Sequence, residues 1–210
     1  MKIPSFRRTA GFTLIELMAV IVIIVILAGM VVGGLGFVNE RQARSKAQTQ
    51  IALLSAAIEE FKLDMGRLPG NTKNTPSAGT GVSSQLYVEL FYEGYDYAKK
   101  SEGGSPPNPW QKKVDGVDVP KSTRIYLPQL DPTSSKLGWV DPVTTTNAPP
   151  PASTMIRDPW GNEYRYRKGT NAQNPDFDLW SIGKDGQTNT TNPTQVGASG
   201  KTNRDDVRNF

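Results

Sequence analysis

The feature that most constrains this chain is an apolar run near its N-terminus. Residues 17–38 contain no charged side chain, and Glu16 stands directly before them. About 20 apolar residues in an α-helix cross the hydrocarbon core of a bilayer. The run therefore predicts a helix that lies in a membrane.

Glu16 has two interpretations at this stage. A carboxylate inside a membrane is costly, so its presence there indicates a function. An acidic residue is also favoured in the first turn of any helix, where it faces the positive end of the helix dipole. The residues around Glu16 leave both interpretations open.

The N-terminus is basic, with Lys2, Arg7 and Arg8 before the apolar run. The run is longer than the 7–15 apolar residues of an ordinary secretory signal, and no small-residue cleavage site closes it. We therefore expect a single-pass anchor with its basic end in the cytoplasm. Because basic residues also follow the run, the charge rule by itself is a weak guide to orientation.

The helical pattern continues beyond the apolar run as a single stripe. Apolar residues recur at steps of four and three, which places them on one face of an α-helix. We predict one helix over residues 12–65 that ends at Gly66 and Pro69. The alternative is two helices with a hinge, since glycine weakens a helix interior. The stripe consists of Ala47, Ile51, Leu54, Ile58, Phe61 and Met65, and the hinge would lie at Gly33, Gly34 and Gly36.

The second half of the chain predicts a small sheet. Residues 67–157 are rich in turn-forming residues, with a short helix expected over 83–92 and capped by Ser83 or Ser84. Residues 162–167 and 176–182 alternate polar and apolar side chains, as in two antiparallel strands. The helical stripe is the expected cover for the apolar face of the sheet. The fold class is therefore α+β, with a long N-terminal helix packed on a small antiparallel sheet.

Composition excludes several kinds of chemistry. The chain has no cysteine and no histidine, so thiol catalysis, zinc-thiolate sites and histidine bases are excluded. Most of the net charge of +4 comes from the three basic residues before Gly11, so we expect no nucleic-acid partner. Hard cations bound by oxygen ligands stay possible.

Several sequence blocks resemble one family. The motif GFTLIEL and the apolar run after it resemble the prepilin signature of type IV pilins and type II secretion pseudopilins. Further along the chain, FKLDMGRLP, RDPWGNEYRYR, DLWSIGKDG and DDVRNF resemble, in the same order, blocks of the major pseudopilins of type II secretion. The resemblance covers about half of the chain, at both ends.

The resemblance implies processing and assembly at the N-terminus. A prepilin peptidase would cut between Gly11 and Phe12 and methylate the new amine of Phe12. Glu16 would then neutralise the N-terminal amine of a neighbouring subunit in a filament. Such a pairing would account for a buried carboxylate.

The resemblance also implies an organisation in five segments. These are a leader at 1–11, a transmembrane and assembly helix at 12–38, an amphipathic helix at 39–66, a variable loop-rich region at 67–157, and a C-terminal sheet with a calcium loop at 158–210.

The calcium loop comes from the resemblance alone. Carried over from the family, the ligands would be Asp185, Asp205, Asp206 and the carbonyl of Ile182. The loop between the acidic residues is longer here than in relatives, which raises its closure cost. The alternative is a solvated polar tail.

The function that the resemblance implies is structural. The chain would form a helical homopolymer, the periplasmic pseudopilus that supports protein export across the outer membrane. Expected partners are the peptidase, the inner-membrane assembly platform and minor pseudopilins. The leader would lie in the cytoplasm and the C-terminal domain in the periplasm.

Two other functions stay open at this stage. One is a subunit of a surface filament for adhesion, motility or DNA uptake. The other is a membrane-tethered enzyme, for which Glu59 with Glu60 and Asp176 with Asp178 are the acid pairs to consider. Glu59 and Glu60 point in different directions on a helix, so we expect them on its solvated face.

Overall fold

The computed structural model describes residues 11–71, 81–106, 108–133, 138–141, 154–189 and 206–209, with backbone only at 31–37 and 171. The chain divides into two compact units, Met1–Gln42 and Ala43–Phe210. The fold is α+β, as the sequence predicts, with helices and two small antiparallel sheets.

The first element is one long helix, α1 (Leu14–Met65). It continues without a break through the glycines at which a hinge was an alternative. It ends as the sequence predicts, because Gly66 adopts a left-handed φ of 69° and donates its N–H to the carbonyl of Lys62 at 2.9 Å. Glycine adopts this conformation without steric cost.

The apolar stripe in the second half of α1 enters the hydrophobic core. Five of its six members are buried, and Met65 packs against the core from its edge. Gln50 and Ala57 are buried with them, so the buried face is wider than the predicted stripe. The opposite face carries Glu59 and Glu60, which are exposed as expected.

Within the residues that the structure describes, no helical segment combines the length and apolar character that a membrane crossing requires. The predicted span over residues 12–38 includes 31–37, whose side chains lie outside the description. The membrane assignment of this segment stays a prediction.

The middle region contains more regular structure than the sequence predicts. Helix α2 (Ser83–Tyr87) passes into a π-helical turn (Val88–Tyr92) and then into α3 (Glu93–Glu102). A π-turn leaves a backbone carbonyl without its usual helical donor. Here the carbonyl of Leu90 accepts the N–H groups of Tyr126 at 2.8 Å and Leu127 at 3.2 Å. The short helix predicted over 83–92 is therefore the first half of a longer one.

The predicted serine cap of this helix is wrong. The N-cap residue is Val82, and it makes no side-chain capping bond. Instead the carboxylate of Glu163, far along the chain, accepts the N–H groups of Gly81 at 2.6 Å and Ser83 at 2.9 Å. The Ser83 N–H is one of the donors that the first turn of a helix leaves open, and Glu163 thereby satisfies it from outside the helix.

A hairpin follows α3 and is held by buried charges. Strands β1 (Gln111–Val114) and β2 (Val117–Pro120) pair antiparallel. Lys112 binds Glu89 at 2.6 Å and also binds Glu93, and Arg67 at the end of α1 binds Glu89 at 2.7 Å. A short 3₁₀ turn (Pro128–Leu130) leads toward the core.

The C-terminal sheet has three strands, β3 (Arg165–Lys168), β4 (Phe177–Ser181) and β5 (Val207–Arg208). A 3₁₀ turn (Gly169–Asn171) follows β3. The order is β3-β4-β5, all antiparallel, and Tyr166 faces Leu179 as the alternation predicts. The sequence pattern predicts the first two of these strands, and the third, β5, pairs Val207 with Ser181. Phe210 lies outside the described residues.

The second face of this sheet is buried as well. Arg165, Arg167, Asp178 and Trp180 are all shielded from solvent. Arg167 donates through Nε to Asp178 Oδ2 at 2.6 Å, so the buried charges are paired. Asp176, the other member of that acid pair, forms an exposed salt bridge with Lys62 at 2.8 Å. The two acids therefore have separate structural partners and do not form a catalytic pair.

Candidate functional site

The N-terminal candidate site comprises the predicted cleavage junction and Glu16. Gly11 and Phe12 are exposed, and the Phe12 side chain is 80% accessible. The large apolar side chains at 14–27 and at Met30 are also exposed, each by roughly half or more. The residues before Gly11 lie outside the described part of the chain. The bond that a peptidase would cut is thus not shielded by the described residues.

Glu16 closes the first turn of α1. Its Oε2 accepts the backbone N–H and the hydroxyl of Thr13, each at 2.8 Å, and Thr13 Oγ1 accepts the Glu16 N–H at 3.3 Å. This is a capping box, which satisfies two open donors of a helix start. The sequence signal for it, a threonine three residues before a glutamate, is present in GFTLIEL but was missed.

The structure describes three of the four residues expected to bind calcium. Asp185 lies in a turn after β4, and its Oδ1 accepts the N–H of Gln187 at 2.8 Å. Asp206 is buried directly before β5, and its Oδ2 accepts the hydroxyl of Thr188 at 2.9 Å. The Thr188 hydroxyl also accepts from Trp180 Nε1 at 3.0 Å. The bond between Thr188 and Asp206 therefore joins described residues on the two sides of the 190–205 segment.

Asp205 lies outside the described residues. Across the described ranges, no three acidic, histidine or cysteine side chains are grouped as a metal ion would require. The donors that are described are carboxylate and carbonyl oxygens, which fit a hard cation such as calcium. The third carboxylate of the expected set is the one whose position is not described.

A buried carboxylate that sequence reasoning missed lies beside this loop. Asp158 is 2% exposed, and its Oδ1 accepts the N–H groups of Trp160 at 3.0 Å and Asn162 at 2.8 Å. Its Oδ2 accepts the hydroxyl of Ser181 at 2.6 Å. Burial raises the pKa of Asp158, and these hydrogen bonds oppose the rise. The motif DPWG indicated a turn, but nothing local to it indicated Ser181 as the partner.

Arg165 is a second buried charge in this region. It is 3% exposed and lies 3.6 Å from Glu163. Burial lowers the pKa of Arg165, while the nearby charges of Glu163, Asp158 and Asp206 act in the opposite direction. Arg165 therefore supplies a buried positive charge near the acidic residues Glu163, Asp158 and Asp206.

The fold and the N-terminal motif together define a pilin-like subunit. The first part of α1 is apolar and exposed and begins within GFTLIEL, and the second part of the same helix packs into the core of an α+β domain. The family model described as the prokaryotic N-terminal methylation motif matches residues 6–32. The model described as type II secretion system (T2SS), protein G, matches residues 131–198.

Curated relatives agree with these matches. The type II secretion system core protein G of Pseudomonas aeruginosa is 31% identical over 182 residues, which cover 86% of this chain and 87% of the relative. That of Klebsiella pneumoniae is 32% identical over 104 residues, 50% of this chain and 71% of the relative. That of Aeromonas hydrophila is 36% identical over 104 residues, 50% and 69% of the two chains.

The chain belongs to the family of type II secretion system core protein G, the pseudopilins. Members of this family are structural subunits, so the chain is not an enzyme.

Proposed function

We propose that this chain is made as a precursor, cut between Gly11 and Phe12 by a prepilin peptidase, and methylated on the Phe12 amine. The processed subunit then polymerises into a periplasmic pseudopilus that supports export across the outer membrane. The observation that carries this proposal is the exposed apolar start of α1, which lies within the methylation motif matched over residues 6–32.

The proposal includes a passage through the inner membrane. Before assembly, residues 12–38 cross it once, with the leader in the cytoplasm and the C-terminal domain in the periplasm. The absence of charge from residues 17–38 supports the crossing. The orientation rests on the resemblance to prepilins, since basic residues flank both ends of the run. After assembly, the same apolar surface is covered by neighbouring subunits of the homopolymer.

Glu16 has a role in both states under this proposal. In the precursor its carboxylate is held by Thr13 within the capping box. Cleavage creates a cationic amine at Phe12, and the Glu16 carboxylate of a neighbouring subunit pairs with it in the filament. Pairing offsets the cost of burying either charge.

Intact mass of the protein from filaments tests the processing step. We expect a chain that begins at methylated Phe12. A filament subunit that still begins at Met1 would overturn the proposal.

A substitution tests the role of Glu16. We expect Glu16→Ala to insert in the membrane but to form few or no filaments, because the Phe12 amine of a neighbour loses its partner. Glu102→Ala, which removes an exposed acid at the end of α3, is the matched control and should polymerise normally. Normal polymerisation of Glu16→Ala would leave Glu16 with the helix-capping role alone.

We further propose that the C-terminal loop binds calcium through Asp185, Asp205, Asp206 and the carbonyl of Ile182. When bound, calcium supplies a positive charge that joins the two ends of the loop. The described residues already bring these ends together through Thr188 and Asp206. The assembly platform and minor pseudopilins are the other partners that we propose on the basis of family membership.

Thermal melting of the full chain in detergent tests the calcium site. A ligand that binds only the folded state stabilises it by mass action. We expect a higher melting temperature with Ca²⁺ than with chelator, and a weaker effect of Mg²⁺, which demands octahedral geometry. Asp205→Ala should lose most of this response, whereas Asp118→Ala in the hairpin should keep it. Equal melting of the wild type in Ca²⁺ and chelator would exclude the site.

A further inference from the structure

The peptide group between Ile182 and Gly183 is held by a side chain, although it follows the last residue of β4. The N–H of Gly183 donates to Ser181 Oγ at 3.0 Å. The carbonyl of Gly183 accepts Asn162 Nδ2 at 2.7 Å. Gly183 has a φ of 65°, a left-handed conformation that glycine adopts readily. Both hydrogen-bonding groups of this turn residue are therefore held by side chains.

The bond from Ser181 also sets the direction of a carbonyl. A trans peptide group is planar, so the carbonyl of Ile182 points away from the N–H of Gly183. When Ser181 holds that N–H, it fixes where the Ile182 carbonyl points. This carbonyl is the backbone ligand of the proposed calcium site.

Ser181 is in turn oriented by a buried carboxylate. Its hydroxyl donates to Asp158 Oδ2 at 2.6 Å, so its lone pairs are left to accept the N–H of Gly183. Asp158 cannot easily rotate, because its other oxygen accepts the N–H groups of Trp160 and Asn162. The turn at 158–162 thus acts on the loop after β4 through two side chains, Ser181 and Asn162.

We propose that Ser181, oriented by Asp158, is a positioning residue that fixes the direction of the Ile182 carbonyl, the backbone ligand of the proposed calcium site, and that Asn162 supports it by holding the next carbonyl. This role rests on the proposed calcium site. Without these bonds the peptide group can rotate. Calcium must then order the Ile182 carbonyl when it binds, and the free energy of this ordering lowers the calcium affinity. Substitution of a residue that orients a metal ligand typically weakens metal binding by about 10- to 100-fold.

The chain offers a matched control for Ser181. Ser122 is likewise fully buried, and its hydroxyl donates to the carbonyl of Arg124 at 2.9 Å and accepts the Arg124 N–H at 3.0 Å. Ser122→Ala therefore removes a buried serine hydroxyl with two hydrogen bonds, in a turn that contains none of the proposed ligands. It separates a loss of stability from a loss of ligand geometry.

Calorimetric titration of the full chain in detergent with CaCl₂ is the test. We expect Ser181→Ala to weaken calcium binding by about tenfold or more, and Ser122→Ala to bind as the wild type does. Ser181→Thr keeps the hydroxyl and should recover most of the affinity. Wild-type affinity in folded Ser181→Ala, or equal weakening in Ser122→Ala, would overturn the positioning role.

Asn162→Ala tests the same positioning role if Ser181→Ala does not fold. We expect Asn162→Ala to weaken calcium binding several-fold, whereas Asn174→Ala should leave the calcium affinity unchanged. Asn174 also donates its amide to a backbone carbonyl, that of Phe177 at 3.3 Å. Unchanged affinity in Asn162→Ala would then overturn the inference. Failure of the calcium site itself has a different result: the wild type does not bind, or Asp205→Ala binds as tightly as the wild type.

Discussion

The two halves of α1 have the same secondary structure and opposite surroundings. In the first half, Leu14 is 77% exposed and Leu27 is 57% exposed. In the second half, Leu54, Ile58 and Phe61 have no exposed surface. Phe61 packs edge-on against Tyr126, with ring centroids 5.3 Å apart.

The difference follows from the pattern of the apolar residues. In the second half they occupy one stripe, so a single contact surface covers them and the polar residues stay in water. In the first half they surround the helix, so they need an apolar environment on every side. A membrane or a bundle of identical helices supplies such an environment, which is why this half is the one proposed for insertion and assembly.

Replacement of a leucine by alanine in each half of α1 should give the largest difference in the free energy of unfolding. We expect Leu54→Ala to lower the free energy of unfolding by about 2–5 kcal/mol, because it leaves a cavity in the core. Leu27→Ala should change it by less than about 0.5 kcal/mol. Denaturant unfolding of the full chain in detergent, followed by tryptophan fluorescence, measures this, since all four tryptophans lie in the C-terminal unit. Equal losses of unfolding free energy in the two variants would show that the two halves of α1 do not differ in their contribution to the core.

A smaller effect concerns the buried polar residue on α1. Gln50 Oε1 accepts the hydroxyl of Tyr164 at 2.8 Å, whereas its Nε2 has no hydrogen-bond partner among the described residues. We expect Tyr164→Phe to lower the free energy of unfolding by about 1–3 kcal/mol, because a buried acceptor is left unsatisfied. The double variant Gln50→Leu with Tyr164→Phe should recover much of that loss. Additive losses in this double-mutant cycle would show that the two side chains do not act together.

In the first half of α1, the carboxylate of Glu16 is held by its sequence neighbour Thr13. We expect Thr13→Ala in the uncleaved chain to remove the capping box, with a local cost of about 1 kcal/mol. Amide hydrogen exchange should become faster in the first turn of α1, while tryptophan-detected unfolding stays unchanged. Unchanged exchange at Glu16 and Leu17 would mean that the cap contributes nothing to the helix start.

The smallest expected effect is a dependence on pH in the C-terminal unit. Burial raises the pKa of Glu93, although Lys112 opposes the rise, and Glu89 and the Ser122 N–H also face it. A carboxyl group whose pKa is raised in the folded state stabilises the fold at pH values below its unfolded pKa of 4.5. This stabilisation is lost as the pH rises through the folded pKa. Glu93→Gln should therefore gain stability relative to the wild type as the pH rises.

Thermal melts at acidic and neutral pH measure this gain. The same substitution at exposed Glu102 controls for the loss of one negative charge. A Glu93→Gln variant that loses stability relative to the wild type as the pH rises would show that the ion pair with Lys112 outweighs burial.

Local patterns determined a large part of this protein. The bounds of α1, its buried stripe and the pairing of β3 with β4 follow from periodicity, because residues three or four apart share a helix face and alternate residues share a strand face. The motif GFTLIEL likewise contains both the proposed processing site and the capping box. Calcium binding at Asp185, Asp205, Asp206 and Ile182 stays a prediction.

Contacts between distant positions were decided only by the tertiary structure. Glu163 caps a helix some 80 positions earlier in the chain, and Asp158 reaches Ser181 after an intervening strand and turn. The third strand, β5, exists because Val207 and Arg208 complete the edge of β4. A buried polar group must be paired, but its own sequence neighbourhood does not say with what. The partner is determined only when the chain closes around it.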